Sequence, residues 1–546
     1  MKELVIATIL LFMRVPAPNL PDGRTLIAED SQGIIYFLLD GKDGRVLASN
    51  ANKVEEADQA WLKGRFPTLI GRFSINPYGR ERLPEPMAPD QHGNAWFLQL
   101  DGVARQAVVQ PPGALFAVTK AKPTGLRSGN WDSLMADDLG YLWVTGKDGI
   151  ERFDPRKPDA GWTTFPKGAG DVTAMRLSPK GLAMVGLSNG QILELDMSSK
   201  GEPSTRQFKL QGLPNAPIRA IHTDREGRVW VVAGGGIYRA EAPPDAWQKS
   251  WKPLARMPFG NHDIFGAVLD GKLYTAGGIA NHGYPAKFTY FSDIFCYDPK
   301  EDNWSIPAKM SATRCYAAVA ALDGRLWILG GGVDDKGKRV PTDLVEIFDP
   351  KTGKVERGPA LTSKRMECFA ATVGGRLYVI GGVDEKETPL SSVESIAPGE
   401  TQWRKEPDAP VPMRQFSGCV LDGKIYVIVG DKGLYAYDPK VKKWDSDLPP
   451  MPVTAPRAAI TAAHNGKVWV MGGWTPQVAR GTGKVFAFSP KSKTWREERE
   501  LPGPLAWAAA GDVDGKLIVA GGAYYSPEHA YYIFEDRAFL LRDQQP

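Results

Sequence analysis

The sequence has no cluster of basic residues. Its 67 Lys and Arg stand against 63 Asp and Glu, a net charge of +4, and no run is dense enough to follow a phosphate backbone. Nucleic acid is therefore not an expected partner. Cysteine is scarce: Cys296, Cys315, Cys368 and Cys419 all lie in the second half, without CxxC spacing or a neighbouring metal-spaced His. They read as small buried hydrophobes, and only distances can decide a disulfide. The six His are scattered, and HxH, HExxH and G-x-S-x-G are all missing. No metal, no cofactor and no serine nucleophile is expected. Long apolar runs are missing too. The longest, Leu4 to Met13, is too short to cross a bilayer and suits either a signal-peptide core cut after Ala17 or a first β-strand. A secreted or periplasmic place follows only from the signal reading, so the compartment stays open. Helical periodicity is rare; its clearest stretch, Glu55 to Lys63, is expected to be a short helix inside a loop.

What the chain does have is turn formers and rings. Gly 59 and Pro 44 make up nearly a fifth of 546 residues, alongside 16 Trp and 17 Tyr. That composition fits many short strands joined by turns, and the length calls for two or more domains.

One phrase recurs through the second half. GKLYTAGG starts at Gly271, GRLWILGGG at Gly324, GRLYVIGG at Gly375, GKIYVIVG at Gly423, GKVWVMGG at Gly466 and GKLIVAGG at Gly515. The spacings are 53, 51, 48, 43 and 49 residues, a period that marks a repeat architecture. Each copy runs as an apolar strand, a D-G type turn, a strand ending in glycines, a third strand closed by punctuation such as Phe348-Asp349-Pro350, and a short fourth strand. Trp304, Trp403, Trp444 and Trp495 stand in that fourth strand. A four-stranded sheet cannot bury both apolar faces alone, and stacking such sheets around an axis does bury them. The glycine doublet is then a packing device where a side chain would collide. It is no phosphate loop, because neither a helix nor Lys-Ser/Thr follows it.

These features resemble the kelch repeat over residues 253 to about 542, with Phe539 where the last Trp is expected. The resemblance implies an all-β fold with a six-bladed C-terminal propeller. Upstream, looser phrases follow central glycines at Gly33, Gly93, Gly140, Gly181 and Gly227, spaced 60, 47, 41 and 46 residues. The best of them, MADDLGYLWVTGKDGIERFD, resembles the two-component-regulator propeller repeat. The expected plan is two β-propellers in tandem. Residues 1–23 would be a signal segment or first strand, 24–244 a propeller of five or six blades with an insertion at 50–86, and 245–546 the kelch propeller.

Fold alone does not give function, so the question is which residues converge. Arg314, Arg365, Arg414 and Arg457 each lie nine or ten residues before a turn glycine, at the loop that enters a blade. Four guanidiniums around one mouth would suit a carboxylate, sulfate or phosphate. Alternatively they bond loop carbonyls. Loops of the same face bring His282, Tyr284, Tyr290, Trp474, Tyr524 and Tyr525, and rings beside fixed donors suit sugars. The candidate ligand-binding set is Arg314, Arg365, Arg414, Arg457, His262, Glu367, Tyr284, Trp474 and Tyr524. The expected function is non-enzymatic binding of a protein or of an acidic or carbohydrate ligand. The alternative is a mutarotase resembling N-acetylneuraminate epimerase, with Glu367 or Asp263 as base. A propeller like that of galactose oxidase would need a Tyr–Cys copper site, which finds no match here. A deep pocket with a carboxylate near the arginines would favour the enzyme, and a shallow face the binder.

Overall fold

The six D-G type turns set the geometry. In a computed structural model describing residues 250–542 (except 259, 283–286, 336–337, 476–480 and 527–530) and shorter stretches between 9 and 240, every one takes two left-handed residues. Asp323 and Gly324 have φ of 52° and 67°, and Asn465 and Gly466 have 49° and 68°. This is the hairpin turn whose twist matches that of its strands, which explains why Asp, Asn and Gly recur there. Glu55 and Glu56 belong to the strand Lys53–Glu56, not to a helix; β-pairing with Val46–Asn50 overrides the local periodicity. The rest of that expected helix lies outside the described residues.

Two compact units are present, Met1–Pro244 with His282–Lys287, and Asp245–Asn281 with Phe288–Pro546. In the second, six four-stranded antiparallel sheets follow one another. We number them as blades 1 to 6, with inner strands Ala267–Leu269, Ala318–Leu322, Phe369–Val373, Ser417–Leu421, Ile460–His464 and Ala509–Val513. Each inner strand contacts the next, and the sixth contacts the first, so the ring is closed. It is a six-bladed propeller, with its core in the layers between blades.

The glycine doublets hold the seams. Gly278, Gly331, Gly382, Gly473 and Gly522 each donate their N–H to a backbone carbonyl of the following blade, those of Arg314, Arg365, Met413, Leu505 and Asn261. A Cβ at Gly277 would lie 2.0 Å from the Arg314 carbonyl oxygen. In blade 4 the doublet is missing, and Asp431 donates to the Ala455 carbonyl instead, at 2.9 Å.

The Trp column explains the last copy. Nε1 of Trp304, Trp403, Trp444 and Trp495 each donates to a carbonyl of the preceding blade's exit, for instance Trp304 to Ala255 at 2.9 Å. In blade 6 the fourth strand is Trp251–Leu254, from the start of the unit, paired with Ala538–Leu541. Trp251 is fully buried and donates to the Glu500 carbonyl at 2.9 Å. Phe539 is thus a third-strand residue, and the Trp expected there comes from the other end of the ring.

The first unit contains five sheets among its described residues. Each upstream phrase bridges the first two strands of a sheet, as in Ile218–Thr223 and Val229–Ala233. There Asp224 accepts from the Arg228 backbone N–H at 2.8 Å and from Trp230 Nε1 at 2.8 Å, the physical reason an acid and a ring recur around the turn glycine. Ile9–Val15 is a strand that pairs with Gly236–Ala240 and takes half of the Leu4–Met13 run. Among the described residues no helix is long and apolar enough to cross a membrane.

Candidate functional site at the axial mouth

Three consecutive residues open each blade of the second unit, and their order decides everything that follows. Ten residues before the turn glycine stand Asn261, Arg314, Arg365, Met413, Pro456 and Leu505. Nine before stand His262, Cys315, Met366, Arg414, Arg457 and Ala506. Eight before stand Asp263, Tyr316, Glu367, Gln415, Ala458 and Trp507, all left-handed with φ between 48° and 62°.

The four arginines therefore occupy two different columns, and the expected ring does not form. Arg314 and Arg365, ten before, are 0% and 1% exposed. Arg314 Nη1 donates to the Gly330 and Leu344 carbonyls at 3.0 and 3.1 Å, and Nη2 donates to Glu346. Arg365 likewise donates to the Gly381 carbonyl at 3.1 Å and Ser392 Oγ at 3.1 Å, and forms an ion pair with Glu394 at 3.2 Å. In blade 1 Asn261 does the same work, its side-chain amide donating to the Gly277 carbonyl at 2.9 Å. These arginines pin the glycine doublet of their own blade through Nη1 and Nη2, while each Nε is buried without a hydrogen-bond partner. Their carboxylates sit in the third strand, Glu346 opposite Ile328 and Glu394 opposite Val379. Where the ten-before residue is not Arg, that third-strand position is aromatic: Phe295, Tyr435, Phe486 and Phe539.

Arg414 and Arg457, nine before, point the other way. Arg414 is 39% exposed in its side chain, with Nε 3.5 Å from Glu367 and Nη2 3.8 Å from Glu387. Arg457 is 55% exposed, and its Nε donates to Asp431 at 2.8 Å. Alternation along an extended chain turns adjacent residues to opposite sides, so one position separates a buried bracket from a rim donor.

The eight-before residues form a collar around the axis. Tyr316 N–H donates to the Asp263 carbonyl at 2.9 Å, Ala458 to Gln415 at 2.6 Å and Trp507 to Ala458 at 3.1 Å. All six line one cavity of about 40 Å³, room for a few waters and far too little for a sugar ring. Asp263 and Glu367 are 1% and 5% exposed. His262 Nδ1 lies 2.6 Å from Asp263, and its ring rests 4.2 Å from that of Phe534. Arg339, on the hairpin Gly332–Asp335 and Lys338–Pro341, reaches Asp263 at 3.5 Å and lies over the Tyr316 ring at 5.4 Å. Burial raises the Glu367 pKa above the usual carboxylate range; Arg414 opposes this, Asp263 adds to it, and Arg339 and the Gln415 backbone N–H oppose it. Burial, then Asp263, also raises the Tyr316 phenol.

Of the expected residues, His262, Glu367 and Arg414 come together at this mouth. Glu367 is enclosed there, 5% exposed. Trp474 is half-buried; its ring lies 5.4 Å from Trp507, and its backbone is paired with Arg457. Tyr524 is half-buried on the hairpin strand Ala523–Ser526, and Tyr284 lies outside the described residues. All four cysteines are buried and free, and burial lifts the Cys368 thiol to about 11. Sequence reasoning missed Arg339, because it lies on the hairpin between second and third strands and outside the repeated phrase. It also missed Glu346 and Glu394, whose signal was present: a Glu inside an otherwise apolar third strand, in the two blades whose entry arginine is buried.

Comparisons with known proteins find kelch repeats in the second unit. The family described as "KLHDC2/KLHL20/DRC7 Kelch-repeats domain" matches residues 317–522, and "Kelch motif" matches 266–311. Kelch-like protein 25 of Xenopus tropicalis is 24% identical over 293 residues, covering 51% of this chain and 48% of that one. Beta-scruin of Limulus polyphemus is 25% identical over 299 residues, covering 50% and 32%, and Kelch-like protein 35 of Mus musculus is 30% identical over 206, covering 36% and 32%. The chain thus spans half or less of the length of these curated relatives. A solved chain, "Structure of YjhT", aligns with a TM-score of 0.45 and 14% identity, covering 53% of this chain and 99% of that one.

Proposed function

With residues 266–522 being a kelch-repeat segment, we propose that residues 245–546 act as a binding domain that takes acidic groups of a protein or glycan on the face bearing Arg414 and Arg457. The observation that carries this is the half-exposure of both arginines above a cavity too small to enclose a ligand. Arg457 is paired with Asp431, and Arg414 makes only long contacts to Glu367 and Glu387, so both half-exposed guanidiniums can offer donors to side groups of a partner. The test is a glycan and acidic-peptide array probed at two salt concentrations. Signal at low salt that fades at high salt supports the reading, and silence at low salt refutes it. We also propose that residues 24–244 form a second propeller joined at the Ala242-Pro243-Pro244 junction, with residues 1–23 contributing its closing strand.

A second reading, a sugar mutarotase, draws on one observation, the enclosed carboxylate of Glu367 beside Arg414. A carboxylate of raised pKa is suited to proton transfer. Faster anomer exchange of an acidic sugar, lost in Glu367→Gln, would support it; exchange at the uncatalysed rate would dismiss it.

A further inference from the structure

Arg339 and Arg414 are built alike. Each keeps about two-fifths of its side chain exposed, 42% and 39%, and each leans on a carboxylate side chain that is itself enclosed, Asp263 at 0% and Glu367 at 6%. Both contacts are 3.5 Å, longer than a tight ion pair. The two carboxylates belong to the collar residues of blades 1 and 3, on either side of Tyr316 in blade order. Both arginines also act on Glu367, so the two guanidiniums share one neighbourhood.

The groups facing Glu367 are few. Arg414, Asp263 and Arg339 are the charges, the Gln415 backbone supplies an N–H, and Tyr316 is the neighbouring phenol. Glu387 holds the far side of Arg414 at 3.8 Å, and His262 bonds Asp263 at 2.6 Å. Glu367 Oε2 is buried and accepts no hydrogen bond. Arg414 is therefore its main compensation.

An anion arriving at the mouth competes for the same donors. If it takes Arg414, a buried carboxylate is left without its counter-charge, a state that a proton relieves. Resting on the reading of this face as an anion-binding one, we infer that Arg339 and Arg414 form one seat for an oxyanion group, and that filling the seat makes Glu367 take up a proton. Burial already moves Glu367 in that direction. By linkage, the anion must then bind more tightly as pH falls.

The experiment uses the full chain and two probes of fixed charge, a dextran sulfate oligosaccharide and a sulfotyrosine peptide. Affinity is measured from about pH 8 down to about pH 5, and proton uptake is measured by calorimetry in two buffers. One linked proton gives at most about a tenfold gain in affinity per pH unit. Glu367→Gln should bind tightly at every pH without proton uptake, while Arg414→Gln and Arg339→Gln should each weaken binding about tenfold or more. Which probe binds distinguishes a glycan source from a peptide source. Wild-type affinity unchanged by pH overturns the inference alone, as does pH dependence that survives in Glu367→Gln and disappears in His262→Gln. Silence of wild type and Glu367→Gln toward both probes overturns the binding reading together with the inference.

Discussion

Arg314 and Arg365 on one side, Arg414 and Arg457 on the other, are four arginines at the entrances of four successive blades. The first two stand ten residues before a turn glycine and are sealed between sheets, each with a carboxylate and the carbonyl of a doublet glycine. The other two stand nine before and lie at the rim, held by carboxylates of loop and collar. A shift of one residue converts a structural bracket into a candidate ligand contact. The residue type is the same, so burial and partner decide the role.

The comparison is broken most forcefully from the buried side. Arg365→Ala leaves Glu394 enclosed without its cation and should cost about 3–5 kcal/mol in denaturant unfolding, with no loss of affinity per folded molecule. Met413→Arg places a guanidinium in the buried column of a blade whose third strand offers Tyr435 instead of Glu, and a loss of similar size, about 3–5 kcal/mol, is expected. Adding Tyr435→Glu should return part of that loss, and a double-mutant cycle measures how much. A smaller effect belongs to Glu367. Its folded pKa is raised, so the native state holds the proton more tightly than the unfolded chain. Stability therefore falls as pH rises from the ordinary carboxylate range through the folded value, and Glu367→Gln should be the more stable protein at neutral pH, with the gain shrinking on acidification. Thermal melts across that range check the sign. The smallest effect is at the rim, where Arg457→Ala should change stability by no more than about 1 kcal/mol, because an exposed pair with Asp431 is screened by solvent.

Much of the fold was legible because its signals are local. Asp-Gly turns, glycine doublets and fourth-strand Trp residues each satisfy a constraint within one blade or its seam, and each recurs at the repeat spacing. Ring closure was not legible, since Trp251 joins strands from opposite ends of the unit. The site was half legible. Glu367, Arg414 and His262 were found because the entry loop faces the axis, yet "nine or ten" concealed the difference that matters. Arg339 could not be found from the repeat, because it sits on a hairpin between the second and third strands, a loop that differs in sequence and length from blade to blade.

The most direct test compares Arg365→Ala with Arg414→Ala in parallel, recording the denaturation midpoint and the affinity for the sulfotyrosine peptide on the same preparations. Separated effects are predicted: Arg365→Ala causes the larger fall in midpoint and keeps the affinity, whereas Arg414→Ala weakens binding about tenfold or more and lowers the midpoint by less, because a proton can neutralise the Glu367 carboxylate it leaves behind. Arg365→Ala losing affinity at an unchanged midpoint, or Arg414→Ala unfolding the ring, would contradict the account.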